Sequence, residues 1–250
     1  MTPSIILQIV LVAFLVVVFP FWDRSETRRL KTSADPRVRV KSYQKTIAWQ
    51  IAATAVLVAI VPVRSLLHAP GTPRELGINL SGRETIPILA AMLAGALIPV
   101  LVARIKGPKV PATPKQLEAI AFILPRGRTE RAWFAAMAMT VGVCEEIIFR
   151  GWLIRFLAEG PPVALGLAGG VIAAAVIFGI DHGYQGLVGI VATGVLALVF
   201  TALFLITGTL WIPMLVHALI DLRVLLLVPR TGLPAPADPP GEPPHDRSPA

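Results

Sequence analysis

The stretch Ala132-Trp-Phe-Ala-Ala-Met-Ala-Met-Thr140-Val-Gly-Val-Cys144-Glu145-Glu146-Ile-Ile-Phe-Arg150-Gly-Trp-Leu-Ile-Arg155-Phe-Leu157 decides the fold. A helix needs about 20 mostly apolar residues to cross a bilayer, and this run is long enough while burying two glutamates and an arginine. The rest of the chain agrees with a membrane reading. Of its 250 residues 55% are hydrophobic and 15% charged, at a mean hydropathy of +0.72. Soluble domains carry about 25% charged residues, so a cytosolic enzyme, a disordered protein and a secreted disulfide scaffold are disfavoured. A single cysteine, Cys144, cannot form an internal disulfide. The net charge of +8 fits a basic surface facing a bilayer better than a nucleic-acid partner.

Six further apolar stretches flank the first: Ile5–Trp22, Ile47–Val63, Ile86–Ala103, Val163–Ile180, Leu187–Ile206 and Leu210–Val228. No period-2 alternation suggests a barrel. The sequence therefore predicts an all-α, polytopic transmembrane bundle of about seven spans, with an eighth if an interfacial or re-entrant segment is counted. Met1–Trp22 contains no Lys or Arg and no small-residue cleavage site, so it reads as a retained span rather than a signal peptide. The loop Asp23–Lys45 holds eight basic residues, Arg64–Thr85 three and Arg104–Arg131 seven. The positive-inside rule then puts the first and third connections in the cytoplasm, the N-terminus outside and the C-terminus inside, in the cell inner or plasma membrane. Gln116–Leu124, too short to span, is expected at the interface. The segment Gly166-Leu-Ala-Gly-Gly170 fits close helix packing. From Pro229 on, eight prolines in 22 residues predict a disordered tail. The expected organisation is N-terminal spans and loops over 1–130, a catalytic membrane core over 131–228, and the tail over 229–250.

Intramembrane charge is costly and by default functional. Three clusters in the C-terminal half carry it: Cys144-Glu145-Glu146-x-x-x-Arg150-Gly151, Phe178-x-x-Asp181-His182-Gly-Tyr184-Gln185 and His217-x-x-x-Asp221. In the first three stretches Gln50 is the most notable polar residue. Neighbouring helical residues point about 100° apart, so Glu145 and Glu146 cannot serve one partner equally. Arg150 lies at i,i+4 from Glu146 and is assigned to neutralise it, leaving Glu145 turned to the interior. Gly179, Gly183 and Gly186 permit a break around His182 that dips inward. His217 and Asp221 share a helical face, and an Asp can fix a His tautomer. The plainer alternatives are a charge cluster at a helix end, a solvated loop His, and a structural His–Asp hydrogen bond.

Two routes to amide hydrolysis remain open. Glu145, His182 and His217 can hold Zn²⁺ with an open position for water. Without metal, Glu145 can act as general base on a water assisted by His182, with His217 donating to the oxyanion. The zinc-protease signature H-E-x-x-H is absent, and Cys144 has no base at i,i+4. Two histidines on different helices also allow haem ligation, but that leaves the glutamates and Arg150 without a role.

Over roughly Ala132–Val228 these three motifs resemble those of the CPBP (Abi) family of intramembrane proteases, related to the CAAX prenyl endopeptidases. The resemblance implies an endopeptidase acting on a membrane-bound protein or peptide, with membrane lipid and no nucleic acid as its surroundings. It matches Glu145 to the water-activating glutamate, His182 to its partner, and His217 with Asp221 to the oxyanion pair; Glu146 and Arg150 complete the motif. Relatives often have Asn where this chain has Asp221. An ionised Asp cannot donate to an oxyanion, so Asp221 is expected to orient His217. A non-catalytic immunity or scaffold protein of the same family is the alternative.

Overall fold

The structure, a computed structural model, describes residues 2–77, 117, 119–161 and 164–228, with scattered positions between 87 and 102. The expected span Ile86–Ala103, apart from those positions, and the Pro-rich tail lie outside the described residues. The described part is helical: α1 (Pro3–Thr32), α2 (Pro36–Ile60), α3 (Arg128–Glu159), α4 (Gly166–Asp181), α5 (Gly186–Thr207) and α6 (Trp211–Leu222). Helix α1, helix α3 and the run Gly183–Thr207 are long and apolar enough to cross a membrane, and α4 is a shorter apolar helix. The chain is a polytopic transmembrane bundle.

Local chemistry sets the helix limits. The Thr2 hydroxyl accepts from the Ile5 N–H and Pro3 opens α1. The Asp35 carboxylate caps α2 at 2.8 Å from the Arg37 N–H, again with Pro in the first turn. Helix α2 stops just before Pro62, which disfavours helical backbone in Val61. Gly208, at φ 71°, ends α5 in the left-handed conformation that favours glycine.

The burial pattern is that of a membrane protein. Ile6, Val10, Phe21, Ile172, Val188 and Leu215 are exposed on the outside of the bundle. Arg39, Gln50, Glu130, Glu146, Arg150 and Asp181 are buried within it. Burying an ion is tolerable only with a partner, and Arg39 and Glu130 form a two-pronged pair at 3.0 and 3.1 Å that ties α2 to the start of α3. The main core gathers Leu15, Leu57, Leu66, Ile148, Trp152 and Leu153 from α1, α2, α3 and the turn after α2.

Small residues set how closely the helices approach. A Cβ at Gly170 would lie 2.7 Å from the Ile154 carbonyl, so α4 meets α3 at backbone distance, as the Gly166–Gly170 segment suggested. A Cβ at Gly142 would lie 2.6 Å from the Ala218 nitrogen. That contact brings α6 against α3 one residue from His217.

One expectation changes in detail. Leu117 and Leu124, from the segment expected at the interface, are buried with Tyr43, Phe134 and Val224.

Candidate active site

Glu145 is the last residue of the α-helical part of α3, and Glu146 opens a π-helical stretch, Glu146–Leu153. Such widened turns recur at functional sites. Glu146 is fully buried. Its Oε1 lies 3.0 Å from Arg150 Nη1 and 2.8 Å from His217 Nδ1. The Arg150 guanidinium is sandwiched by aromatic faces from two other helices, 4.5 Å from the Phe178 ring centre and 5.3 Å from that of Phe200. The His217 ring stacks on Phe200 at 5.0 Å. Helices α3, α4, α5 and α6 therefore meet around one paired charge.

The other side of His217 is open. Its Nε2 lies 3.9 Å from Glu145 Oε2 and 3.6 Å from Asp221 Oδ2. These are electrostatic contacts longer than hydrogen bonds. The two adjacent glutamates thus reach opposite edges of one imidazole, unequally, Glu146 at hydrogen-bond distance and Glu145 at 3.9 Å. At hydrogen-bond range the group orienting His217 is Glu146, and Asp221 stands farther off on the opposite edge.

Glu145 is fixed by a residue the motifs did not include. Gln50 of α2, 1% exposed, donates from Nε2 to Glu145 Oε1 at 3.0 Å. Glu145 Oε2 is buried without a hydrogen-bond partner among the described residues. The sequence singled out Gln50 as the polar residue of the N-terminal spans but gave those spans membrane character only. The structure corrects that: α2 supplies a site contact. The signal available was one amide in an otherwise apolar helix.

His182 caps the C-terminus of α4, just before the turn Gly183–Gln185. Its Nδ1 is 2.8 Å from the Phe178 carbonyl, and its ring lies against Phe178 at 4.4 Å. A carbonyl only accepts, so Nδ1 carries the proton and Nε2 is the free acceptor of the neutral ring. Glu145, His182, His217 and Asp221 line one cavity of about 340 Å³, with Gln50, Asp181 and Tyr184. Glu146 and Arg150 sit behind this wall. Cys144 is buried and free.

Among the described residues no three His, Cys, Asp or Glu side chains are arranged to hold a metal ion. In the set Glu145, His182 and His217, each histidine engages Nδ1 with a protein acceptor and keeps Nε2 toward other partners, an arrangement that metal-ligating histidines share.

Residues 128–223 match the family model "Type II CAAX prenyl endopeptidase Rce1-like". No curated protein and no solved structure matches the chain. The matched segment starts with α3, ends just past α6 and carries all three motifs. Residues 128–223, the part of the chain that holds α3 to α6, are thus similar to the Rce1-like type II CAAX prenyl endopeptidases.

Proposed function

We propose that this chain is an endopeptidase that hydrolyses a peptide bond of a membrane-associated protein or peptide with a water activated by Glu145 and His182. The observation that carries the reading is that Glu145, His182 and His217 line one cavity, with Glu145 Oε1 held by Gln50 and its Oε2 without a partner among the described residues. The water sits between Glu145 Oε2 and His182 Nε2. Glu145 takes its proton as the oxygen attacks the scissile carbonyl carbon. His217 acts as the imidazolium, its Nδ1–H donating to Glu146 and its Nε2–H to the oxyanion that forms. The tetrahedral intermediate collapses, the C–N bond breaks, and Glu145 returns the proton to the leaving amine. Asp221 steadies the imidazole from the cavity side. Gln50 is a positioning residue that keeps Oε2 aimed at the water. No step passes through a metal.

In this reading residues 131–228 form the catalytic core, and α1 and α2 brace it. The cavity wall includes Glu26 and Lys45, paired at 2.6 Å, from the basic loop assigned to the cytoplasm. The cavity thus opens on the cytoplasmic side, with the N-terminus outside and the C-terminus inside. The test is a comparison of protein termini in membranes from cells expressing the wild type or Glu145→Gln. New termini that appear only with the wild type support the proposal. Identical termini, with full in vivo function of the variant, would return the chain to the non-catalytic scaffold reading.

A further inference from the structure

Asp181 is not used by the chemistry above. It sits at the end of α4 immediately before His182, is 5% exposed, and lines the cavity. Neither of its carboxylate oxygens has a hydrogen-bond partner among the described residues. A buried carboxylate in this state is costly, and the cost falls when a cation comes to it. The nearest wall of the cavity does not supply one. Asp23 of α1 lines the same space and adds a second carboxylate. Lys45 is engaged by Glu26 at 2.6 Å, and Arg150 by Glu146 at 3.0 Å. Arg223, also on the wall, follows Asp221 by two residues, at the end of α6.

We infer that Asp181, assisted by Asp23, is a subsite for a basic side chain, Lys or Arg, of the substrate peptide. This rests on the endopeptidase reading and adds a substrate class to it. Because Asp181 adjoins His182 in the chain, the basic residue falls within a few residues of the scissile bond. The long aliphatic stem of Lys or Arg crosses the apolar part of the cavity, lined by Phe178, Trp22 and Leu196, while its head reaches the carboxylates.

The test uses the full chain in detergent micelles, carrying Glu145→Gln so that nothing is consumed. The probes are dansylated apolar peptides with a single Lys walked through the central positions, each paired with a peptide bearing norleucine at that position. Norleucine keeps the stem and lacks the ammonium. In at least one register the Lys peptide should bind about tenfold tighter than its norleucine partner, as expected for a desolvated charge pair. Adding Asp181→Asn should bring that ratio close to one while the norleucine peptide keeps its affinity. Asp23→Asn, at a less buried position, should lower the ratio in part, and it keeps the test decisive if Asp181→Asn does not fold. A ratio near one in every register overturns the subsite, as does a ratio that survives both variants. Binding needs no turnover, so this result is independent of whether the wild type cleaves the peptides.

Discussion

Glu146 and its surroundings are closed, whereas Glu145, one residue earlier, faces a cavity. Glu146 is fully buried, paired with Arg150 and bonded to His217, with Phe178 and Phe200 covering the guanidinium. Glu145 has one oxygen held by Gln50 and the other unpartnered among the described residues. Two identical side chains in adjacent positions thus have opposite environments. Each has one oxygen without a partner among the described residues, but Glu146, whose Oε1 faces both Arg150 and His217, lies behind the cavity wall and serves as an anchor. Glu145 lines the cavity beside His182 and His217, where a carboxylate is placed for proton transfer.

This contrast can be broken from either side. The largest expected effect is on turnover. If the proposed mechanism holds, His182→Ala removes the second partner of the water and lowers kcat by about 10²–10⁴-fold, the usual worth of general acid–base assistance. Circular dichroism and the thermal midpoint should stay near wild type, because His182 holds only its own helix end. Normal turnover in a folded His182→Ala protein would remove His182 from the mechanism.

On the closed side the effect should fall on stability. Arg150→Met leaves Glu146 buried without its cation, and removing one partner of a buried pair costs about 3–5 kcal/mol. The protein should be recovered in low yield or with a strongly lowered thermal midpoint. A well-folded, active Arg150→Met protein would show that the pair is not an anchor.

Smaller effects sharpen the picture. Gln50→Leu deletes a hydrogen bond to a charged group, worth about 1.5–3 kcal/mol. If that loss falls on the transition state, kcat drops about 10- to 100-fold at little changed KM. The acid limb of the pH–rate profile should move with it, a readout that a purely structural role would leave in place. Gly142→Ala pushes α6 away from α3 and should cost about 1–3 kcal/mol of overpacking, with a fall in kcat because His217 shifts with α6. The smallest effects concern Asp221 and metal. Asp221→Asn should keep activity within about tenfold, since Glu146 rather than Asp221 holds His217 at hydrogen-bond range. Chelation and dialysis should leave kcat unchanged. Loss of activity restored by Zn²⁺ would move the reaction to the metal route.

Much of this was legible in the sequence because intramembrane charge is rare and so each instance stands out. Glu145, Glu146, Arg150, His182, His217 and Asp221 were named from their spacing in apolar runs, and the i,i+4 separation already joined Glu146 to Arg150. What the sequence did not reveal depends on contacts distant in the chain. Gln50 and Glu145 are 95 residues apart, and no local pattern links a lone amide in α2 to a glutamate in α3. The placement of His217 between Glu146 and Glu145 needs α6 at backbone distance from α3. That distance is set by Gly142 against Ala218, a contact that no periodicity encodes. The π-helical stretch Glu146–Leu153 was invisible for a related reason. Within it Gly151 meets the Leu66 carbonyl at backbone distance and Trp152 Nε1 donates to Gln8 of α1 at 2.8 Å, both contacts distant in the chain.

The central claim is that neighbouring glutamates divide the labour, and the most direct measurement is a paired one. Glu145→Gln and Glu146→Gln are purified side by side, and kcat and thermal midpoint are recorded for each. The account predicts that Glu145→Gln loses turnover by at least about 10²-fold with its midpoint kept. It predicts that Glu146→Gln loses stability first, through the unpaired Arg150. Equal losses of stability in both variants, or full turnover in Glu145→Gln, would contradict it.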